Sequence, residues 1–261
     1  MATGPYGRVH VDLASGVTGA VARITIDNAT KLNVIGSALM AELVDAVTAL
    51  GAREDLRAVV LTGAGDRAFI GGANILEMAG LDATRAREFI TGLHRMCAAL
   101  RDLPVPVIAR INGYALGAGL EVAAACDLRI AASNAAFGMP EVRVGIPSVI
   151  EAALLTGLIG WGRTRELLLL GESIDAETAL RWGLVQKVAP VDGLDAAVEA
   201  CVGALLKAGP RALRLQKTLI RRWEDLPLSA AIAAGIDSFA DAYATDEPSR
   251  LMRTFLERPR R

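Results

Sequence analysis

This 261-residue sequence predicts an α/β fold with parallel strands, closed by a wholly helical C-terminal part. Two patterns carry that expectation. Short β-branched runs alternate with amphipathic stretches through the first 190 residues, as in a parallel sheet covered by helices. Beyond residue 190 the strand patterns vanish and helical stretches follow one another. The length suits one large domain or a domain with a smaller appendage, and it supplies a core without disulfide staples. We therefore divide the chain into residues 1–190 and 191–261.

Taken in order, Arg8–Leu13 and Gly19–Ile26 alternate or run β-branched and read as a strand pair. Leu39, Leu43, Val47 and Leu50 then recur at helical spacing, and Gly51 closes that helix. Arg57–Thr62 is a short buried strand running into a glycine-rich loop. Phe89, Leu93, Met96 and Leu100 line one face of a second helix, which stops before Pro104. Val105–Ile111 and Leu128–Ala131 are further strands. Past the boundary, Gly193–Lys207, Arg211–Trp223, Ser229–Tyr243 and Pro248–Glu257 read as helices. The sequence has no low-complexity linker and no convincing internal repeat.

Composition narrows the function. Lys and Arg alternate with acids to a net charge of −1, which argues against a nucleic-acid partner, although the tail around Arg253 and Arg258–Arg261 is locally basic. Charges interrupt every apolar stretch well before the about 20 residues of a membrane span, and residues 1–8 lack a hydrophobic signal core. The expectation is a cytoplasmic protein without a membrane partner. Three cysteines without CxxC spacing encode neither a disulfide framework nor a zinc cluster, and two histidines are too few for a His-rich metal site. His94, set among apolar helix residues, reads as packing. His10 reads as exposed and Cys126 as a small core residue.

Three segments are left to carry chemistry. Gly63–Asn74 follows a strand, and its Gly63-x-Gly65-x-x-Ala68 formally matches a dinucleotide fingerprint. That fingerprint requires an immediate helix, whereas Gly71 and Gly72 disfavour one by about 1 kcal/mol each. Gly71-Gly72-Ala73 instead reads as backbone freed to present its N–H groups, with a helix from Asn74; an ordinary turn is the plainer alternative. In Asn112–Asp127, Gly117-Ala118-Gly119 permits close approach to the backbone, and Glu121 is the only charge between Arg110 and Asp127. A carboxylate in such apolar company holds its proton at raised pKa or needs a cation from elsewhere. In Ala136–Pro147, Glu141 follows Pro140, and a simple Glu141–Arg143 surface pair is the plainer alternative. Taken together, the segments suggest backbone donors for an oxyanion beside two carboxyl groups that move protons. No nucleophile elbow or Walker motif competes.

Phe69-Ile-Gly-Gly-Ala-Asn-Ile75, Asn112–Glu121 and Phe137-Gly-Met-Pro-Glu141 with Gly145-Ile-Pro147 resemble the signature segments of the crotonase superfamily, most closely its enoyl-CoA hydratase/isomerase group. The likeness extends from Lys31-Leu-Asn33 to Gly171–Val185. It implies a spiral of ββα turns over residues 1–190 carrying an acyl-CoA site. Residues 191–261 would form helices that cover the CoA and assemble trimers or hexamers. It further implies hydration of a 2-enoyl-CoA, as in fatty-acid β-oxidation, with no cofactor beyond the coenzyme A of the substrate. The N–H groups of Ala73 and Ala118 would form the oxyanion hole. Glu121 would act on water attacking C3, and Glu141 would exchange the proton at C2. Ala29, Lys31 and Leu32 would meet the adenine end of CoA. Gly71, Asn74, Ile75, Gly117 and Met139 would line the site, while Phe255 and Arg258 would reach a neighbouring subunit's CoA. Double-bond isomerisation, thioester hydrolysis and decarboxylation are the alternatives on the same fold; a nicotinamide-dependent dehydrogenase and a non-catalytic binder are alternatives of other classes. The sequence departs from the family in having Ala118 where a glycine is usual and Asn74 where an Asp is common. Ser148-Val-Ile-Glu151 replaces a glycine-rich run, adding bulk and a third acid.

Overall fold

The computed structural model describes residues 7–257. Strands β1 (Arg8–Gly16) and β2 (Gly19–Asp27) form the expected antiparallel pair, and α1 (Ser37–Gly51) follows. From there the chain repeats one path. A strand enters a large sheet, a three-residue strand enters a small one, and a helix leads back. The first turn is β3 (Leu56–Gly63), β4 (Ala68–Ile70), α2 (Ile75–Met78) and α3 (Ala83–Asp102). The second is β5 (Val107–Ile111), β6 (Tyr114–Leu116) and α4 (Ala118–Ala125). The third is β7 (Leu128–Ala132) and β8 (Ala136–Gly138), followed by 3-10 turns at Pro140–Val144 and Ile150–Leu154 and then α5 (Leu155–Leu170). After β9 (Ser173–Asp175), α6 (Ala176–Trp182) and β10 (Lys187–Ala189) come four helices: α7 (Leu194–Lys207), α8 (Pro210–Trp223), α9 (Leu228–Ala242) and α10 (Glu247–Leu256).

The large sheet has the order β1-β2-β3-β5-β7-β10, parallel from β2 onward, and the small sheet the order β4-β6-β8-β9. The repeat is therefore one of path, without a matching repeat of residues. The strands β4, β6, β8 and β9 escaped the sequence reading because three residues are too few to show a period of two. The main core lies inside the spiral, where β2, β3 and β5 meet α1, α3 and α4. Val21, Val60, Ile108 and Ile130 face the other way and are covered by Leu194, Val198 and Val202 of α7. The last strand thus ends at residue 189, and the first helix beyond it packs on the sheet.

Buried polar groups pin this frame. Arg129 donates to the carbonyls of Cys126 at 2.6 Å, Ala123 at 3.2 Å and Leu184 at 2.7 Å, satisfying the end of α4. Lys217 of α8 donates to the Leu100 and Val105 carbonyls and to Asp127 at 2.8 Å, tying the helical part to α3. Glu247 of α10 accepts the N–H groups of Arg211 and Ala212, capping α8. Among the described residues no helix is long and apolar enough to cross a membrane. No group of three His, Cys, Asp or Glu there is placed to hold a metal ion.

Candidate active site

The site stands at the carboxyl ends of β4, β6 and β8. Because these strands are parallel neighbours, the segments that leave them lie side by side although far apart in sequence. Leaving β4 is Gly71-Gly72-Ala73, leaving β6 is Gly117 at the start of α4, and leaving β8 is Met139 before the turn that carries Glu141. Ligands collect where parallel strands end in this way. Ala73, Ala118, Glu121 and Glu141 all line one cavity of about 420 Å³. Its remaining wall is largely apolar, with Met78, Leu81, Phe89, Ile90 and Leu93 on one side and Ile146, Pro147 and Val149 on the other, and Arg87 brings a cation to it.

Two buried asparagines set the loops. Asn33 donates to the Ala64 and Ala68 carbonyls at 3.0 and 2.8 Å and accepts from the Asn28 N–H, and Asn112 donates to the Gly63 carbonyl at 3.0 Å. Leu32 accepts from the Gly71 N–H at 2.8 Å, which seats the Ala29–Lys31 turn against the first site loop. Asn74 caps α2 by accepting from the Leu76 N–H, so amide serves where a carboxylate is common.

The backbone donors follow from local geometry. Ile35 forms an isolated parallel bridge with Ala73, taking the Gly72 carbonyl and the Asn74 N–H. In a parallel bridge the bracketed residue turns its own N–H to the opposite side, so that of Ala73 is left for the cavity. Ala118 is the first residue of α4, where the helix has no acceptor for its N–H. Neither N–H donates a hydrogen bond among the described residues. Gly117 reaches this arrangement with φ 51 and ψ −120, and a Cβ there would collide with the Glu141 carboxylate.

Glu121 is 4% exposed on α4. Burial first, then the nearby charges of Glu141 and Glu151, push its pKa up to about 8, against the opposing pull of the Ala152 and Val149 amides. The raised-pKa reading is therefore the one realised. Glu141 does not pair with Arg143: it accepts from the Ser148 hydroxyl at 2.8 Å, while Arg143 donates to the Leu170 carbonyl and faces Glu172. Ser148, a partner of Glu141 on the cavity wall, was visible beforehand only as a departure from the glycine-rich run.

His94 corrects the sequence expectation. The buried face of α3 runs through Phe89, Leu93, Met96, Cys97 and Leu100, and residue 94 falls one step round from it. His94 is accordingly half-exposed, with Nδ1 2.9 Å from Glu151 Oε1. His10 is exposed and Cys126 buried, as read from sequence. Of the other residues singled out, Ile75 is exposed at the start of α2. Met139 lies wholly in the core, off the cavity wall. Phe255 is exposed on α10 and does not line the cavity, and Arg258 lies outside the described residues.

The spiral and its cavity define a protein of the crotonase fold. With the enoyl-CoA hydratase from Bacillus anthracis the chain superposes at a TM-score of 0.90 with 32% identity, covering 96% of each chain. The chain belongs to the enoyl-CoA hydratase/isomerase family, whose model matches residues 16–261. It is 34% identical over 241 residues to the short-chain-enoyl-CoA hydratase of Clostridium acetobutylicum, covering 92% of both. It is 36% identical over 239 residues to the crotonyl-CoA hydratase of Syntrophomonas wolfei, covering 91% of this chain and 92% of that one.

Proposed function

We propose that this protein is an enoyl-CoA hydratase that adds water across the C2=C3 bond of a 2-enoyl-CoA to give the 3-hydroxyacyl-CoA. The observation that carries this reading is the meeting of two glutamates and two unused backbone N–H groups on one apolar cavity. A thioester α-carbon is too weakly acidic for carboxylate chemistry unless the enolate is stabilised. The N–H groups of Ala73 and Ala118 supply that stabilisation at the thioester oxygen. Water held between the carboxyl groups attacks C3 as Glu121 takes its proton, charge flows to the thioester oxygen, and Glu141 protonates C2. The pair thus works with one proton. In the resting site burial favours that proton on Glu121, and it crosses the bridging water to Glu141 before addition. CoA enters as part of the substrate, and no other cofactor is required.

Crotonyl-CoA is the first substrate to assay. The expected result is loss of the conjugated enoyl-thioester absorbance with a product one water heavier; an unshifted mass with a moved double bond would assign isomerisation instead. The pH profile carries a second signature. An acid whose pKa stands at about 8 holds its proton below that pH and loses it above. Both carboxyl groups are then charged, so kcat/KM falls above pH 8 by about tenfold per unit. A profile flat to pH 10 would overturn the one-proton scheme.

We also infer assembly as homo-trimers, singly or paired into hexamers. Supporting this, Leu228, Ile232, Ile236 and Phe239 form an exposed apolar row along α9, more than an isolated chain leaves in water. Sedimentation equilibrium should give three or six times 27.3 kDa, and a monomer would refute it.

A further inference from the structure

Glu151 has no part in the scheme above, yet it is 4% exposed, with one carboxylate oxygen against His94 and the other buried without a hydrogen-bond partner among the described residues. Its backbone setting is unusual. Ile150, immediately before it, takes φ +40, a left-handed conformation that a β-branched residue adopts only when its surroundings enforce it. The turn Ile150–Leu154 packs across α4, which carries Glu121, and against α3, which carries His94. The same short stretch thus sends the Val149 and Ala152 amides and the Glu151 charge toward one carboxyl group, that of Glu121.

We propose that Glu151, anchored by His94, is a positioning residue that keeps the transferable proton on Glu121. It touches neither the cavity nor a reacting atom. A negative charge beside a second carboxyl group disfavours ionisation of that group, and burial of both side chains weakens the screening by water. His94 stands on the solvent side and fixes the Glu151 carboxylate by its Nδ1 contact, leaving the unpartnered oxygen within the protein.

The other groups facing this cluster do not duplicate the role. Glu141 acts on Glu121 from the cavity side, and the Cys97 thiol, pushed well up by burial and by both Glu151 and Glu121, stays neutral. Arg87 of α3 lines the same cavity as Glu121, and a cation there acts in the opposite sense to Glu151. Arg101, farther along α3, pairs with Glu224, while Arg163 and Arg165 of α5 lie over the rings of Trp182 and Trp161.

The inference rests on the hydratase reading for its kinetic readout, so the test has a second readout that needs no turnover. The midpoint of Glu121 is read from carboxyl 13C NMR of the resting enzyme, assigned with Glu121→Gln, and separately from the alkaline limb of kcat/KM on crotonyl-CoA. Glu151→Gln removes the like charge and is expected to lower both midpoints by about one pH unit. His94→Lys leaves the buried turn untouched but sets a permanent cation against Glu151, and should lower them in the same direction. It keeps the proposal testable even if the buried substitution unfolds. Midpoints unmoved in every variant that folds, His94→Lys alone included, would make Glu151 merely structural and overturn the proposal. A parent enzyme that fails to hydrate crotonyl-CoA would sink the functional reading alone, because the NMR midpoint would still answer for Glu151.

Discussion

Glu121→Gln is expected to lower kcat for crotonyl-CoA hydration by about 10²–10⁴-fold, the usual worth of a positioned acid–base group. The same substitution should stabilise the protein in alkali. The pKa of Glu121 is about 8 in the folded chain against 4.5 for an ordinary glutamate. An acid raised in this way contributes its full stability below the unfolded value, and that contribution is lost as pH rises through 8. The difference corresponds to roughly 5 kcal/mol. Glutamine fills the same space without a charge to bury. Melting temperatures at fixed protein concentration should therefore nearly coincide for parent and variant at pH 4.5, and separate by several degrees in the variant's favour at pH 9. A gap that stays constant with pH would contradict the buried, proton-holding carboxyl; a variant with parental kcat would remove Glu121 from the chemistry.

Ala118→Pro is expected to cost about 10²–10³-fold in kcat, equivalent to the about 2.7–4 kcal/mol lost with one oxyanion donor. Proline is tolerated at the first position of a helix, where the missing N–H has no intrahelical role, so the helix survives while the donor is replaced by a ring carbon that also crowds the thioester oxygen. The preceding residue is Gly117, the type best able to accept proline's restriction on its neighbour. Because the donor meets charge that develops only in the transition state, the larger part of the loss should fall on kcat, with KM raised by the crowding. Ala118→Gly keeps the N–H and serves as control. A folded Ala118→Pro enzyme with parental kcat would mean that this N–H holds no developing charge.

How much of this was legible beforehand depended on how much surface each residue group turns to the core. The elements β2, β3, α1 and α3 were readable because each is long enough to repeat its buried face. The strands β4, β6 and β8, which aim the whole site, were not: three residues show no alternation, and what makes them strands is the neighbouring turn of the spiral. Glu121 could be singled out because a lone acid in an apolar helix has few bland explanations. Glu141 could not be separated from a local Arg143 pair, since only folding brings up the Leu170 carbonyl that draws Arg143 away and the Ser148 hydroxyl that takes its place. His94 misled for a related reason, because apolar neighbours in sequence are not neighbours on a helix face.

Local patterns of residues were enough for the α/β class, the helical C-terminal part and, through the order and spacing of the glycine-rich and glutamate-bearing segments, membership of a family. These are properties of local pattern, and local pattern survives without coordinates. The tertiary structure alone brought Ala73 and Ala118, whose N–H groups go unused among the described residues, onto the same cavity as Glu121 and Glu141. It also set the burial that raises the proton affinity of Glu121 and brought His94 to Glu151. Proton affinity and donor direction depend on burial and on charges a few ångströms away, and those neighbours come from turns of the chain that the sequence keeps dozens of residues apart.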